Sequence, residues 1–157
     1  MIRNHRLFAA IAFCYHRQTG ARPVIPAGFL KAWAGTAAFI LVIDAIWLGF
    51  IARGFYARQL GDLMLDQPKL SIAALFYIMY SAVVVLLASA PAFRSGSLQD
   101  ALLLGAILGF AAYGTYDITN MATLKNWPVT MSLVDMAWGT LLTAAASATG
   151  YWVLRWV

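Results

Sequence analysis

The chain has little of what soluble enzymes use to build their sites. It holds one cysteine, Cys14, two histidines, His5 and His16, and no glutamate, so all six acids are aspartates. A single cysteine excludes an intrachain disulfide and any thiolate metal motif. Cys14 reads as a small apolar filler or as a reactive or lipidated thiol. Both histidines fall in the first 26 residues, which excludes a histidine metal site in the rest of the chain. No glycine-rich phosphate loop, nucleophile elbow or Ser/His/Asp set is present, nor an arginine-rich voltage-sensor pattern. Charge is scarce as well. Charged residues make up 11% of the 157, against about 25% in a soluble domain.

What is there is apolar. Hydrophobic residues make up 62% of the chain and the mean hydropathy is +0.75. Long apolar stretches with few charges read as membrane-spanning helices of roughly 20 residues. Four fit: residues 28–51, 70–90, 101–121 and 130–153. Their connections are short. Pro68 and Lys69 precede the second, Pro91 and Ser95-Gly96-Ser97 follow it, and Trp127-Pro128 separates the last two. Short connections make neighbours antiparallel, so the expected fold is all-α, an integral membrane four-helix bundle running up-down-up-down. It leaves no room for a soluble domain.

Residues 1–27 form an N-terminal extension. Its apolar stretch, Leu7–Tyr15, is too short to span and is flanked by arginines. It reads as an interfacial helix or as disordered sequence from an upstream start codon, since the bundle is complete without it. The net charge of +5 is strung along the ends and loops. That pattern suits a lipid bilayer and the positive-inside rule, and it suggests no nucleic acid. Counting Lys and Arg on each side puts both termini in the cytoplasm, a bias that rests on the arginines of the extension.

Against this background three acids stand out: Asp44, Asp117 and Asp135, each inside a span. An ionisable group at membrane depth is costly unless neutralised, paired or wetted, and so marks a functional site by default. By helical rise all three fall in one half of the membrane, roughly 6–11 Å from its midplane. Tyr77 and Tyr80 of the second span reach the same depth. In the third span Gly105, Gly109, Tyr113, Tyr116, Asp117 and Asn120 fall within an arc of about 120°. The glycines allow another helix to come close, so the polar end of that stripe faces the protein interior. In the first span Asp44 and Trp47 stand one turn apart. Tyrosine hydroxyls, the Asn120 amide and the indoles of Trp47 and Trp138 can donate to the carboxylates.

Plainer readings exist for several of these. Asp135 can be stabilised by the start of its helix, just after Thr130 and Ser132. Asp44 can lock the bundle by pairing with Arg53 or a tyrosine. Trp127, Trp152 and Trp156 read as interfacial belt residues. Three aspartates and Asn120 could form an oxygen-only cation site, but no metal or cofactor is implied.

The motifs Asp44-Ala-Ile-Trp47-Leu-Gly49, Phe55-Tyr56 with Leu60-Gly61, and Phe76-Tyr77-x-x-Tyr80 occur in order. After them come Tyr113-Gly-Thr-Tyr116-Asp117-Ile-Thr-Asn120, continuing to Trp127-Pro128, and Asp135-Met-Ala-Trp138-Gly139-Thr140. This series resembles a bacterial membrane-protein family, domain of unknown function 2177, over residues 28–157. The resemblance implies a four-helix protein of the bacterial inner (plasma) membrane and no activity.

Three functions follow as expectations. The first is binding or proton-coupled transport of a small cationic solute by Asp44, Asp117 and Asp135 in an aromatic cavity. For so small a chain, transport requires a homodimer. The second is a membrane-embedded enzyme of lipid or isoprenoid metabolism. The third is a structural subunit of a larger membrane complex.

Overall fold

A computed structural model describes residues 25–157. Most of the N-terminal extension, with Cys14, His5 and His16, lies outside the described residues. Among the described residues there is no strand, and four helices are long and apolar enough to cross a membrane. These are α1 (Phe29–Ile51), α3 (Leu70–Ser95), α4 (Leu98–Thr123) and α5 (Val129–Trp156). A short polar helix, α2 (Arg53–Leu60), follows α1.

The second span runs five residues beyond the expected boundary at residue 90 and passes through Pro91. Proline inside a helix removes one backbone hydrogen bond and crowds the preceding turn. Here the turn before it, Val85–Ser89, is widened to π-helix, which makes room for the ring. Only then does the chain turn. Gly96 ends the helix with a left-handed φ of 74°, a conformation that glycine adopts without strain. The Ser97 hydroxyl then accepts from the Asp100 N–H at 3.1 Å to start α4, an N-cap that satisfies one of the orphan amides there.

Helices α4 and α5 form the tightest pair, and glycine is the reason. A Cβ on Gly105 would come within 2.7 Å of the Thr143 carbonyl oxygen. One on Gly109 would collide with the Gly139 carbonyl oxygen, and one on Gly139 with the Tyr113 ring. The glycine pattern expected to admit another helix is thus used within the chain. The contacts pair Gly105 with Ser147 and Gly114 with Met136, so the two helices run in opposite directions. Helix α1 lies against both α3 and α5. Ile40, Tyr80, Val84, Leu142 and Ala146 form the buried centre where α1, α3 and α5 meet. The Trp33 indole donates to the Ile78 carbonyl at 3.0 Å and ties α1 to α3.

One neighbour pair is uneven. Helix α3 packs on α4 through Val85–Ser95, whereas its first part, Leu70–Val84, packs on α1 and α5 instead. In the half of the bundle towards the first and third loops, α3 and α4 therefore stand apart.

Candidate functional site

The site lies in that opened half. A cavity of roughly 430 Å³ is lined by residues of all four spans. Asp44, Asp135 and Trp138 belong to its lining, together with Tyr77, Tyr80, Tyr113 and Tyr116. Phe76, Leu48 and Ala112 complete it. No lining residue is Lys or Arg.

Asp44 is buried, and both of its oxygens are engaged. The Trp138 indole donates to Oδ1 at 2.9 Å and the Tyr77 hydroxyl donates to Oδ2 at 2.8 Å. Of the two partners considered for Asp44, a tyrosine rather than Arg53 takes the role. Trp138 is itself held from behind by Trp47, whose ring stacks on it with centroids 4.1 Å apart and planes 8° from parallel. Trp47 opens a π-helical turn, Trp47–Ile51, of the kind that recurs at functional sites. Deeper in, the Tyr80 and Thr143 hydroxyls bond at 2.7 Å, and Phe76 stacks on Tyr80.

Asp135 is held by a residue that the sequence reading did not place in the site. Tyr56, on α2, donates its hydroxyl to Asp135 Oδ1 at 2.5 Å. The Trp47 indole approaches the same hydroxyl at 3.5 Å. Burial, reinforced by the bond to Asp135, pushes the Tyr56 hydroxyl well above the ordinary tyrosine range, so Tyr56 stays a donor. Its side chain packs with Ala52 and Met131, and Trp47, Phe55 and Trp127 close around them. This aromatic cluster covers the loop end of the bundle above the cavity. The signal for it in the sequence was the Phe55-Tyr56 pair, aromatic residues in an otherwise polar connection. The helix-start reading of Asp135 fails, because no acid lies in the first turn of α5.

Asp117 and Asn120 lie outside the cavity lining. Asp117 is 0% exposed, and neither of its oxygens has a hydrogen-bond partner. Ser132, Asp135 and Trp127 are its polar neighbours. The Trp127 indole spends its proton on the Ser132 hydroxyl at 2.9 Å instead, so Trp127 faces inward and is not a simple belt residue. Trp152 and Trp156 are exposed, as a belt requires. Asn120 stands beside Tyr116. Among the described residues no three His, Cys, Asp or Glu side chains group as metal ligands.

The arrangement has clear chemical consequences. Two carboxyl groups and the faces of several aromatic rings line the cavity, with no basic residue in its walls. A third carboxyl, Asp117, lies buried near Asp135 and beside Ser132 and Trp127 without a hydrogen bond of ordinary geometry. A family model described as "Predicted membrane protein (DUF2177)" matches residues 29–152. No curated protein and no solved structure matches the chain.

Proposed function

The chain belongs to the predicted membrane protein family DUF2177, a premise that carries no activity, and from the site we propose that it binds a small organic cation within the bilayer. One observation carries this reading: Asp44 and Asp135 share a cavity with four tyrosines and Trp138, and no Lys or Arg lines it. A carboxylate removed from water is stabilised in its charged form by a nearby cation, and aromatic faces attract quaternary ammonium groups. The volume suits a small molecule.

Proton-coupled transport is the activity such a site would serve. In that scheme Asp117, buried and without a donor, takes the proton exchanged for the solute, and the chain works as a homodimer in the bacterial inner membrane with both termini in the cytoplasm. The test uses purified protein in phosphatidylcholine liposomes under an imposed pH gradient. The expected result is gradient-driven movement of tetraethylammonium, lost in Asp117→Asn, with tetraethylammonium binding retained. Binding without movement would leave a binding protein, and no binding would end the proposal.

A second reading has its own support. The Tyr56 hydroxyl, held on Asp135 at 2.5 Å, sets a fixed hydrogen-bond donor and a candidate carboxylate base beside the cavity, which suits an enzyme acting on a lipid. A lipid species that changes both in a deletion strain and in Tyr56→Phe would favour it.

A further inference from the structure

The cavity is exposed at Phe76 of α3, at Tyr116 of α4 and, at its loop end, at Leu48 of α1. Towards the first and third loops it is roofed by the Tyr56 cluster, with Trp47, Phe55 and Trp127 packed around Ala52 and Met131. Towards the opposite membrane face it is floored by the packed centre of Ile40, Val84, Leu142 and Ala146. Helix α1 packs on α3 and α5, and α4 packs on α5. The remaining side lies between α3 and α4, where Leu70–Val84 packs chiefly on α1 and α5.

The residues at that side are amphipathic in the sense the geometry demands. Phe76 is 42% and Tyr116 55% exposed, although both line the cavity. Leu75 and Met79 of α3 continue outward from Phe76 as exposed apolar surface, and on α4 the exposed Ala111 and Thr115 stand beside Ala112. Polarity thus rises inward, from apolar side chains at the membrane surface, past tyrosine hydroxyls, to Asp44 and Asp135.

We propose that the cavity draws its ligand sideways from the bilayer through the gap between α3 and α4, and that this ligand is a single-chain amphiphile with a cationic head. This rests on the cation-binding reading above and names its substrate class. The head reaches the two carboxylates and the aromatic rings, while the chain stays in the gap and in the lipid. Such an arrangement spares the ligand a passage through water and keeps its apolar tail out of a cavity too small to hold it. It also accounts for an aromatic roof on the aqueous side of a charged site.

The test uses full-length protein in phosphatidylcholine nanodiscs and a dodecyltrimethylammonium probe with a photoactivatable group in mid-chain. Tetramethylammonium binding is followed separately by tryptophan fluorescence, with Trp47 and Trp138 as reporters. The proposal expects labelling concentrated at least fivefold on Leu75–Met79 and Ala111–Tyr116 over the other lipid-facing surfaces. Labelling there falls at least fivefold in the Asp44→Asn/Asp135→Asn double variant, and an uncharged dodecyl probe labels all faces evenly. Ala112→Phe, which narrows the gap, abolishes the concentrated labelling. Even labelling of all faces by the cationic probe, with tetramethylammonium still bound, would overturn lateral entry and leave cation binding standing. Failure of both probes to bind would overturn both. The labelling pattern of the wild-type protein decides the matter even if Ala112→Phe does not fold.

Discussion

The two halves of the bundle are built from different materials. Towards the second loop the helices meet through small residues: Ala88, Ala90 and Ser89 of α3, Gly105 of α4, Ser147 and Gly150 of α5. The space there is so tight that a Cβ on Gly150 would come within 2.5 Å of the Ser89 hydroxyl. Towards the first and third loops the same helices carry Asp44, Tyr77, Tyr113, Asp135 and Trp138, and they part between α3 and α4. Close backbone approach in one half fixes the helices, and large polar side chains prop them apart in the other. The polar groups differ in kind as well. In the packed half the Ser89 hydroxyl donates to the Ser147 carbonyl at 2.9 Å, a bond that only joins helices. In the open half the acceptors are carboxylates facing a cavity. A polar group at membrane depth is therefore not by itself a site; the space beside it and the charge it carries make the difference.

This contrast can be broken from either side. The largest effect is expected from Gly109→Val at the α4–α5 contact, where the added atoms meet backbone that cannot move aside. Overpacking of this kind costs about 1–3 kcal/mol and occasionally more, so thermal unfolding in detergent should show a large loss of stability or no folded protein. Next is Asp44→Asn. An amide puts an NH2 donor where one of the two oxygens accepts from Trp138 or Tyr77, and it carries no charge. Tetraethylammonium affinity should fall at least tenfold, with a stability loss of about 1–2 kcal/mol, both measured on the same purified sample.

Tyr56→Phe is expected to cost about 1 kcal/mol, the worth of one hydrogen bond, and to speed hydrogen exchange in α2 more than in the spans. The bond also has a pH signature. The Tyr56 hydroxyl is raised above the ordinary tyrosine range, so at high pH the folded chain keeps a proton that the unfolded chain has released. Its contribution is full below the ordinary tyrosine value and is lost as pH rises through the raised one. Stability curves of wild type and Tyr56→Phe should converge in that alkaline window. The smallest effect is expected from Thr36→Val in the packed half. The Thr36 hydroxyl is buried without a partner, so its removal should leave stability unchanged or raise it by up to about 1 kcal/mol. Cation affinity should not move.

The helical architecture was legible because apolar runs of span length interrupted by proline, glycine and serine leave few alternatives. Asp44, Tyr77 and Trp138 were legible because polar groups at matched depth in antiparallel helices must find one another. Three features were not. Tyr56 sits among Arg53, Gly54, Arg58 and Gln59, a local pattern that reads as loop, and only the fold of α2 over α5 brings it to Asp135. Asp117 shares a broad helical stripe with Tyr116, but successive residues differ by about 100° around a helix. Tyr116 therefore lines the cavity while Asp117 turns towards Ser132 and Trp127. The gap between α3 and α4 depends on which helices pack together, and periodicity within one helix holds no record of that.

The most direct test is a pair of distance measurements by spin-label resonance in nanodiscs. One pair of labels, at Met79 and Phe110, reports the open half. The other, at Leu87 and Leu102, reports the packed half; all four positions are exposed. A broad Met79–Phe110 distribution that narrows when dodecyltrimethylammonium is added is expected, beside a narrow Leu87–Leu102 distribution that does not respond. Two equally narrow distributions, both indifferent to the cation, would contradict this.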